Sequence, residues 1–342
     1  MRALLVGCGG ISRTWLEAVQ ALPAIEMVGL VDLEDSEARN LADHFNLNVS
    51  TGVSLTKLLE ETKPDVVFDC TVPQAHFDVT ITVLKAGCHV FGEKPMADTL
   101  EQAHKMISVA EESGKVYAVM QNRRYNPNIR RLRDFLASNV LGTVTTIDAD
   151  FYIAPRFGGF REHMPHVLIK DMAIHTFDAA RFLSQASPQA VYCHEWNPTG
   201  SWYDQDAAAI AIFEMTNNLT FSYRGSWCAE GLRTPWACEW RITGTKGSVY
   251  WDGEDEFRAE VVEDDSGFLS TYKPVEVADT RTGDFLSGHH SALKAFLAAL
   301  EQDEEPETIC TDNIKSLAMV LGAVESATLK QRIQMAEASL SS

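Results

Sequence analysis

The chain has no long apolar run, no paired cysteines and no surplus of basic residues. Each absence closes off a class of function. No stretch reaches the roughly 18 apolar residues of a membrane-spanning helix. The opening MRALLVGCGG leaves no room for a cleaved leader ahead of the glycine-rich chemistry that begins at Gly7, so a cytoplasmic protein is expected. Lys and Arg number 29 against 48 Asp and Glu, a formal net charge of −19. A nucleic-acid backbone or an anionic membrane surface would be repelled, and neither is expected as a partner. The seven cysteines, at 8, 70, 88, 193, 228, 238 and 310, are odd in number and contain no CxxC. They read as reduced, mostly buried thiols. At 342 residues the chain suits two domains of about 150 residues each.

The stretch ALLVG (3–7) is a short apolar run that stops at glycine, a buried strand. It runs into GCGGIS, with Gly7, Gly9 and Ser12 at the GxGxxG positions, and then the helical SRTWLEAVQAL. Gly7 permits a tight turn, and Gly9 lets the backbone approach a pyrophosphate. The helix start, around Gly10, Ile11 and Ser12, offers N–H groups to that anion. Ser12 departs from the usual third glycine but is small enough for helix–strand contact. A second strand, EMVGLVD, ends in Asp32, 20 residues after Ser12, where an acidic side chain accepts from the adenosine ribose. Leu33, Glu34 and Asp35 follow, with no arginine to receive a 2′-phosphate. NAD is therefore expected rather than NADP.

The alternation continues. SLTKLLEET is helical, PDVVFDCT (64–71) is a strand, and HFDVTITVLKAG is a helix ending at Gly87. HVFGEKP (89–95) and KVYAVMQN are further strands. Asp98 and Glu101 have the D-x-x-E form of a capping box opening a helix to Ser113. Buried strands alternating with helices imply a parallel, doubly wound sheet with its ligand at the strands' carboxyl ends. TVPQAH (71–76) and GEKPM (92–96) fall there. Thr71, Pro73, His76, Glu93 and Lys94 are thus expected to border the cofactor.

In KDMAIHTFD (170–178), Asp171, His175 and Asp178 stand at i, i+4 and i+7, one face of a helix. That spacing suits a metal site, an acid–base site or a plain polar face. Lys94, before Pro95, either orients a hydroxyl or pairs with Glu93 at the surface. From Thr143 the period turns to two, with short strands divided by Gly, Asn, Asp and Pro, and MTNNLT (215–220) and GTKGS (244–248) as hairpin turns. A largely antiparallel sheet follows, one face covering a helix and the other free to meet a partner subunit. RFGGFREHMPH supplies Arg156, Arg161, His163 and His166 on a polar loop, either a substrate contact or a connector. Trp227, Trp236 and Trp240, with Glu230 and Arg233 between, suit stacking on a carbohydrate, or else sheet core and subunit interface.

The ordered set GCGGIS, Asp32, FGEKP and D-x-x-x-H-x-x-D resembles the Gfo/Idh/MocA family of oxidoreductases. So do QNRRYNP (121–127), LGTV (141–144) and TDNIKSLAMVLGAVESA (311–327), and the likeness spans nearly the whole chain. It implies an α/β protein with an N-terminal Rossmann domain, 1–121. A C-terminal α/β domain, 122–342, would hold a large, mainly antiparallel open sheet for substrate binding and oligomerisation. It further implies NAD as cofactor, a sugar, cyclitol or related polyol as substrate, a homodimer or homotetramer, and Lys94, Asp171 and His175 as the catalytic residues. Hydride transfer from an alcohol needs a base for the hydroxyl proton and a group that stabilises the alkoxide. His175 suits the base, having the unperturbed pKa closest to neutrality. Asp171 would orient the ring or grip a neighbouring hydroxyl, and Lys94 would hold the reacting oxygen. The reverse assignment, with Lys94 moving the proton, stays open. Asp178 would bond the second imidazole nitrogen or a substrate hydroxyl, or else pair with Arg181 at the surface, the reading favoured here. Arg156, His163 and Trp236 are further expected substrate contacts. His163, His166, Asp171 and His175 carry donor atoms for a metal, but hydride transfer to NAD needs none, and none is expected. Two other functions suit the same fold: an NAD-dependent sensor without turnover, and an NAD-cycling glycosidase.

Overall fold

Short apolar runs ending at glycine or aspartate build the first sheet. In the computed structural model, which describes residues 1–279 and 286–335, the chain divides into two units. One is Met1–Tyr125 with Asp284–Leu317, the other Asn126–Gly283 with Ala318–Ser342. The first unit runs β1 (Arg2–Val6), α1 (Gly10–Gln20), β2 (Glu26–Val31), α2 (Asp35–His44), β3 (Ser50–Gly52) and α3 (Leu55–Thr62). It continues as β4 (Val66–Asp69), α4 (Pro73–Lys85), β5 (His89–Gly92), α5 (Leu100–Ser113) and β6 (Tyr117–Val119). The six strands pair in the order β3-β2-β1-β4-β5-β6, all parallel. This is the doubly wound sheet expected. The Trp15 ring lies 5.3 Å from both Phe68 and Phe91 and is fully buried. A large aromatic buries roughly 150–250 Å², about 4–6 kcal/mol at ~25 cal/mol per Å².

The α5 cap sits one residue later than its D-x-x-E signature suggests. Thr99 is the N-cap, its hydroxyl accepting from Gln102 N at 3.1 Å, while Asp98 N donates to Gln102 Oε1 at 3.2 Å. Thr99 and Gln102 thus take the capping positions assigned by spacing to Asp98 and Glu101, with the Gln102 side chain reaching back to Asp98 N rather than to the cap residue itself.

The second unit contains α6 (Pro127–Ala137), β7 (Val144–Tyr152), the short α7 (Phe160–His163) and a π-helical turn, Leu168–Ala173, that leads into α8 (Ile174–Ser184). Then come β8 (Pro188–Trp196), β9 (Ala208–Met215), β10 (Leu219–Ser226), β11 (Glu239–Gly244), β12 (Gly247–Trp251), β13 (Phe257–Asp264) and β14 (Thr271–Pro274). After α9 (Gly288–Glu301) and α10 (Cys310–Leu329), β15 (Ile333–Gln334) pairs with β8. The sheet order is β14-β13-β12-β11-β7-β10-β9-β8-β15. Every neighbouring pair is antiparallel except β7 and β10. Both expected hairpins form. In the first, Asn217 and Asn218 take φ of 62° and 56°, a conformation asparagine tolerates better than most residues.

On the inner sheet face, Phe177 of α8 packs against Phe213 at 4.8 Å and Tyr223 at 5.4 Å. The outer face of β8 and β9 exposes Tyr192, Trp196, Ile210 and Ile212, with Tyr192 directly opposite Ile212. Asp178 is fully buried and lies 3.8 Å from the buried Arg181. The pair expected at the surface is therefore internal, because this face of α8 packs inward. The helix α9 belongs with the first unit. Its Phe296 stacks on Phe91 at 4.6 Å, and Leu293 and Leu297 join the same core. A boundary at residue 122 would place it in the second domain. An amphipathic stripe shows that one face is covered, not which sheet covers it.

Candidate active site

Gly7 has a φ of +88°, and a Cβ there would lie 2.7 Å from backbone atoms of Cys70 and Thr71. The ends of β1 and β4 meet so closely that only glycine fits. Nothing lies within 4 Å of a Cβ built at Gly9 or Gly10, so the loop beyond is open. The helix α1 begins at Gly10 with no side chain capping it, leaving its dipole and first N–H groups for an anion. Ile11 is exposed, while Ser12 is buried and donates its hydroxyl to Gly9 O at 2.5 Å. Asp32 accepts from Cys8 N at 2.7 Å and from Glu34 N at 3.1 Å, bracing the loop from the end of β2. A carboxylate has about four lone-pair sites, so capacity remains for a ribose hydroxyl. Burial, with the charges of Asp32 and Glu37, pushes the Cys8 thiol up to about 12. Arg39, on α2, is paired with Asp35. An open glycine loop at a helix start and an acidic β2 end fit NAD.

At the neighbouring strand ends, Thr71 donates its N–H and hydroxyl to Asp69 Oδ1, at 3.0 and 2.5 Å. Pro73 opens α4. Burial raises the Asp69 pKa against the opposing pull of His76 and Thr71. His76 is 2% exposed. One ring nitrogen lies 2.7 Å from Pro95 O and the other 3.0 Å from Thr71 O. It stands beneath the rim and joins the two segments that form it. Glu93 is also buried, which corrects the picture of a surface Glu93–Lys94 pair. Its Oε1 accepts from Trp15 Nε1 at 2.7 Å, and its Oε2 from Lys94 N at 3.2 Å. Burial works to raise its pKa. The hydrogen bond and charge of His289, with Lys94 and Trp15, outweigh that and hold it below the ordinary 4.5. Lys94 is half-buried and precedes Pro95 through a cis peptide bond. His289 stands nearly 200 residues from the motif it serves, on α9, and no local pattern marks it.

In the second unit, Asp171 lies in the π-turn and His175 in α8, so the expected single α-helical face is interrupted between them. Such turns are frequent at functional sites. From 167 to 183 only Lys170, Asp171 and His175 escape burial. Asp171 Oδ2 accepts from Arg161 Nε at 2.7 Å. Arg156 donates to Glu230 at 2.9 Å and lies over the Trp202 ring at 3.8 Å. His163 meets Asp204 at 2.6 Å, which raises its pKa by hydrogen bond and charge. His166 meets Glu195, also at 2.6 Å. Three of the four metal-donor candidates, His163, His166 and Asp171, therefore engage three different partners. Trp236 is 48% exposed, beside Phe157 and Phe151, whereas Trp227 and Trp240 are buried. Of the three tryptophans, only Trp236 is exposed.

Residues 1–121 match the family model described as oxidoreductase family, NAD-binding Rossmann fold, and residues 129–250 match the GFO/IDH/MocA C-terminal domain. The D-glucoside 3-dehydrogenase of Escherichia coli is 28% identical, over 80% of each chain. The inositol 2-dehydrogenase of Rhizobium meliloti is 24% identical over 97% of this chain and 98% of its own. An oxidoreductase from Agrobacterium radiobacter, solved with NAD+, L-tartaric acid and magnesium, superposes with a TM-score of 0.85 at 19% identity, over 98% of both chains. With an NAD-binding Rossmann sheet followed by the large mixed sheet, the chain belongs to the Gfo/Idh/MocA family of oxidoreductases.

Proposed function

We propose that the protein is an NAD-dependent dehydrogenase acting on a secondary alcohol or lactol of a sugar, cyclitol or related polyol. The observation that carries this reading is the accessibility of Asp171 and His175 in an otherwise buried helix. NAD, bound at the glycine loop, supplies the hydride acceptor. Lys94 holds the reacting oxygen and favours its alkoxide form. His175 takes the hydroxyl proton and returns it in the reverse direction. Asp171, kept as an acceptor by Arg161, grips a neighbouring hydroxyl. Cofactor binding is assigned to residues 1–121, whose core α9 completes, and substrate binding to the remainder of 122–342.

The arginines support a neutral substrate over an acidic one. Arg156 faces Glu230 and Arg161 faces Asp171, so each cation already has a carboxylate. The half-exposed Trp236 ring suits the C–H face of a sugar ring. The relatives named above, a glucoside dehydrogenase and an inositol dehydrogenase, act within the same chemical range. The test is a panel of glycosides, free sugars and inositols, scored by NADH absorbance. Lys94→Ala, Asp171→Ala and His175→Ala should each lower kcat/KM by about 10²–10⁴-fold, the usual range for a proton-transfer group. Ligand binding without NADH would favour the sensor, and aglycone release without net NADH the NAD-cycling glycosidase. A cytoplasmic homodimer or homotetramer is part of the proposal. Seven free cysteines and the apolar outer face of β8 and β9 support it.

A further inference from the structure

Beneath the Lys94 turn lies a set of polar side chains drawn from three distant parts of the first unit. Trp15 comes from α1, Asn122 from the turn after β6, and His289 from α9. All converge on Glu93. Its Oε1 accepts from Trp15 Nε1 at 2.7 Å and faces His289 Nε2 at 3.5 Å. Its Oε2 accepts from the backbone N–H of Lys94 at 3.2 Å. On the far side of the imidazole, Asn122 Nδ2 lies 3.3 Å from His289 Nδ1. With that nitrogen accepting from the amide, the ring proton sits on Nε2, the atom turned toward Glu93.

The placement of His289 is itself enforced. A Cβ at Gly288 would come within 2.8 Å of Asn122 O, so the start of α9 rests on the Asn122 backbone. Two turns further, Phe296 stacks on Phe91, two residues before Glu93. Apolar packing seats the helix, and the seat brings His289 to the carboxylate. A glutamate side chain only 9% exposed is costly to bury unless several donors hold it. Here the donors number three, and one of them is the peptide N–H of the lysine that the proposed chemistry needs.

We propose that Trp15, Asn122 and His289 are positioning residues for Lys94. They fix Glu93, and Glu93 fixes the lysine's backbone at the end of β5. His76 holds the other side of the same turn through Pro95 O. The role given to Lys94 rests on the proposed dehydrogenase reading, but its positioning is measurable without turnover.

The test uses full-length His289→Leu, His289→Gln and Trp15→Phe. Glutamine can return an N–H donor toward Glu93, while phenylalanine keeps an aromatic ring between Phe68 and Phe91 and loses the donor along with part of the buried indole volume. Acylation of Lys94 by acetic anhydride is followed by peptide mass spectrometry, with the exposed Lys85 as internal reference. NAD affinity is measured by titration, and kcat and KM with any alcohol the wild type oxidises. His289→Leu and Trp15→Phe should change Lys94 labelling about threefold or more against Lys85. They should lower kcat about tenfold with a smaller change in KM, as expected for a small displacement of a reacting group. His289→Gln should recover most of both. If His289→Leu does not fold, Trp15→Phe carries the test. The proposal is overturned if folded variants label Lys94 at the wild-type rate, or if His289→Gln is as impaired as His289→Leu. Absence of any turnover by the wild type would count against the dehydrogenase reading alone, and the labelling would still decide the positioning.

Discussion

Glu93 and Asp69 are neighbours in the first sheet, both buried, and burial acts on both alike. Their pKa values nonetheless move in opposite directions. Asp69 is raised, because its bonds to Thr71 and the charge of His76 fall short of the desolvation it suffers. Glu93 is lowered, because His289, Lys94 and Trp15 more than offset it. A carboxylate depressed on folding binds fewer protons in the folded state than in the unfolded one. Its stabilising contribution is therefore complete above the unfolded value of about 4.3, and is lost as pH falls through the depressed folded value. Glu93→Gln should lower the Tm near neutrality, and the gap to wild type should narrow below about pH 4. Calorimetry across that range checks it, and a gap that stays constant down the acid limb would contradict it. At this scale the sequence was informative about identity and poor on surroundings. The positions of Gly7, Asp32 and Lys94 just past the ends of β1, β2 and β5 are legible from the motifs. That Glu93 is buried, that Asp178 pairs with Arg181 inside, and that His289 reaches Glu93 all depend on contacts between distant segments.

The elements show where local pattern suffices and where it does not. The strands of the first sheet were readable because a buried parallel strand is an apolar run with sharp ends. The edge strand β3, three residues long, carries too little pattern to be seen. The parallel pairing of β7 with β10 was hidden too, since alternation reveals a strand's faces but not its neighbour. The π-turn at Leu168–Ala173 was masked by an i, i+4, i+7 spacing that an unbroken α-helix would satisfy equally. The α5 cap was found one residue out, because two adjacent residues, Asp98 and Thr99, are both good caps. Thr99→Ala should cost about 1 kcal/mol of stability, a fall in Tm of roughly 2–4 °C for a unit of this size. Asp98→Ala, which keeps its backbone donor to Gln102, should fall less. Thermal melts of the two variants give the comparison, and a reversed order would return the cap to Asp98.

At the scale of the molecule, the chain joins a nucleotide-binding sheet to a second sheet whose outer face is apolar along β8 and β9. Tyr192, Trp196, Ile210 and Ile212 are all at least 36% exposed, on two adjoining strands. A homo-oligomer built on that face would be weakened by a buried charge. Ile212→Glu is expected to reduce the mass seen by light scattering while leaving the NAD affinity of the protein intact, and an unchanged mass would put the interface elsewhere. We propose that this family member moves a hydride between NAD and a neutral polyol, with Lys94, Asp171 and His175 handling the hydroxyl. The most direct measurement is NADH formation across glycosides, inositols and acid sugars, for wild type and His175→Ala in parallel. At least one neutral compound should give NADH with the wild type, acid sugars should trail it, and His175→Ala should lose about 10²-fold or more. No NADH from any neutral compound, or equal rates for wild type and His175→Ala, would contradict it.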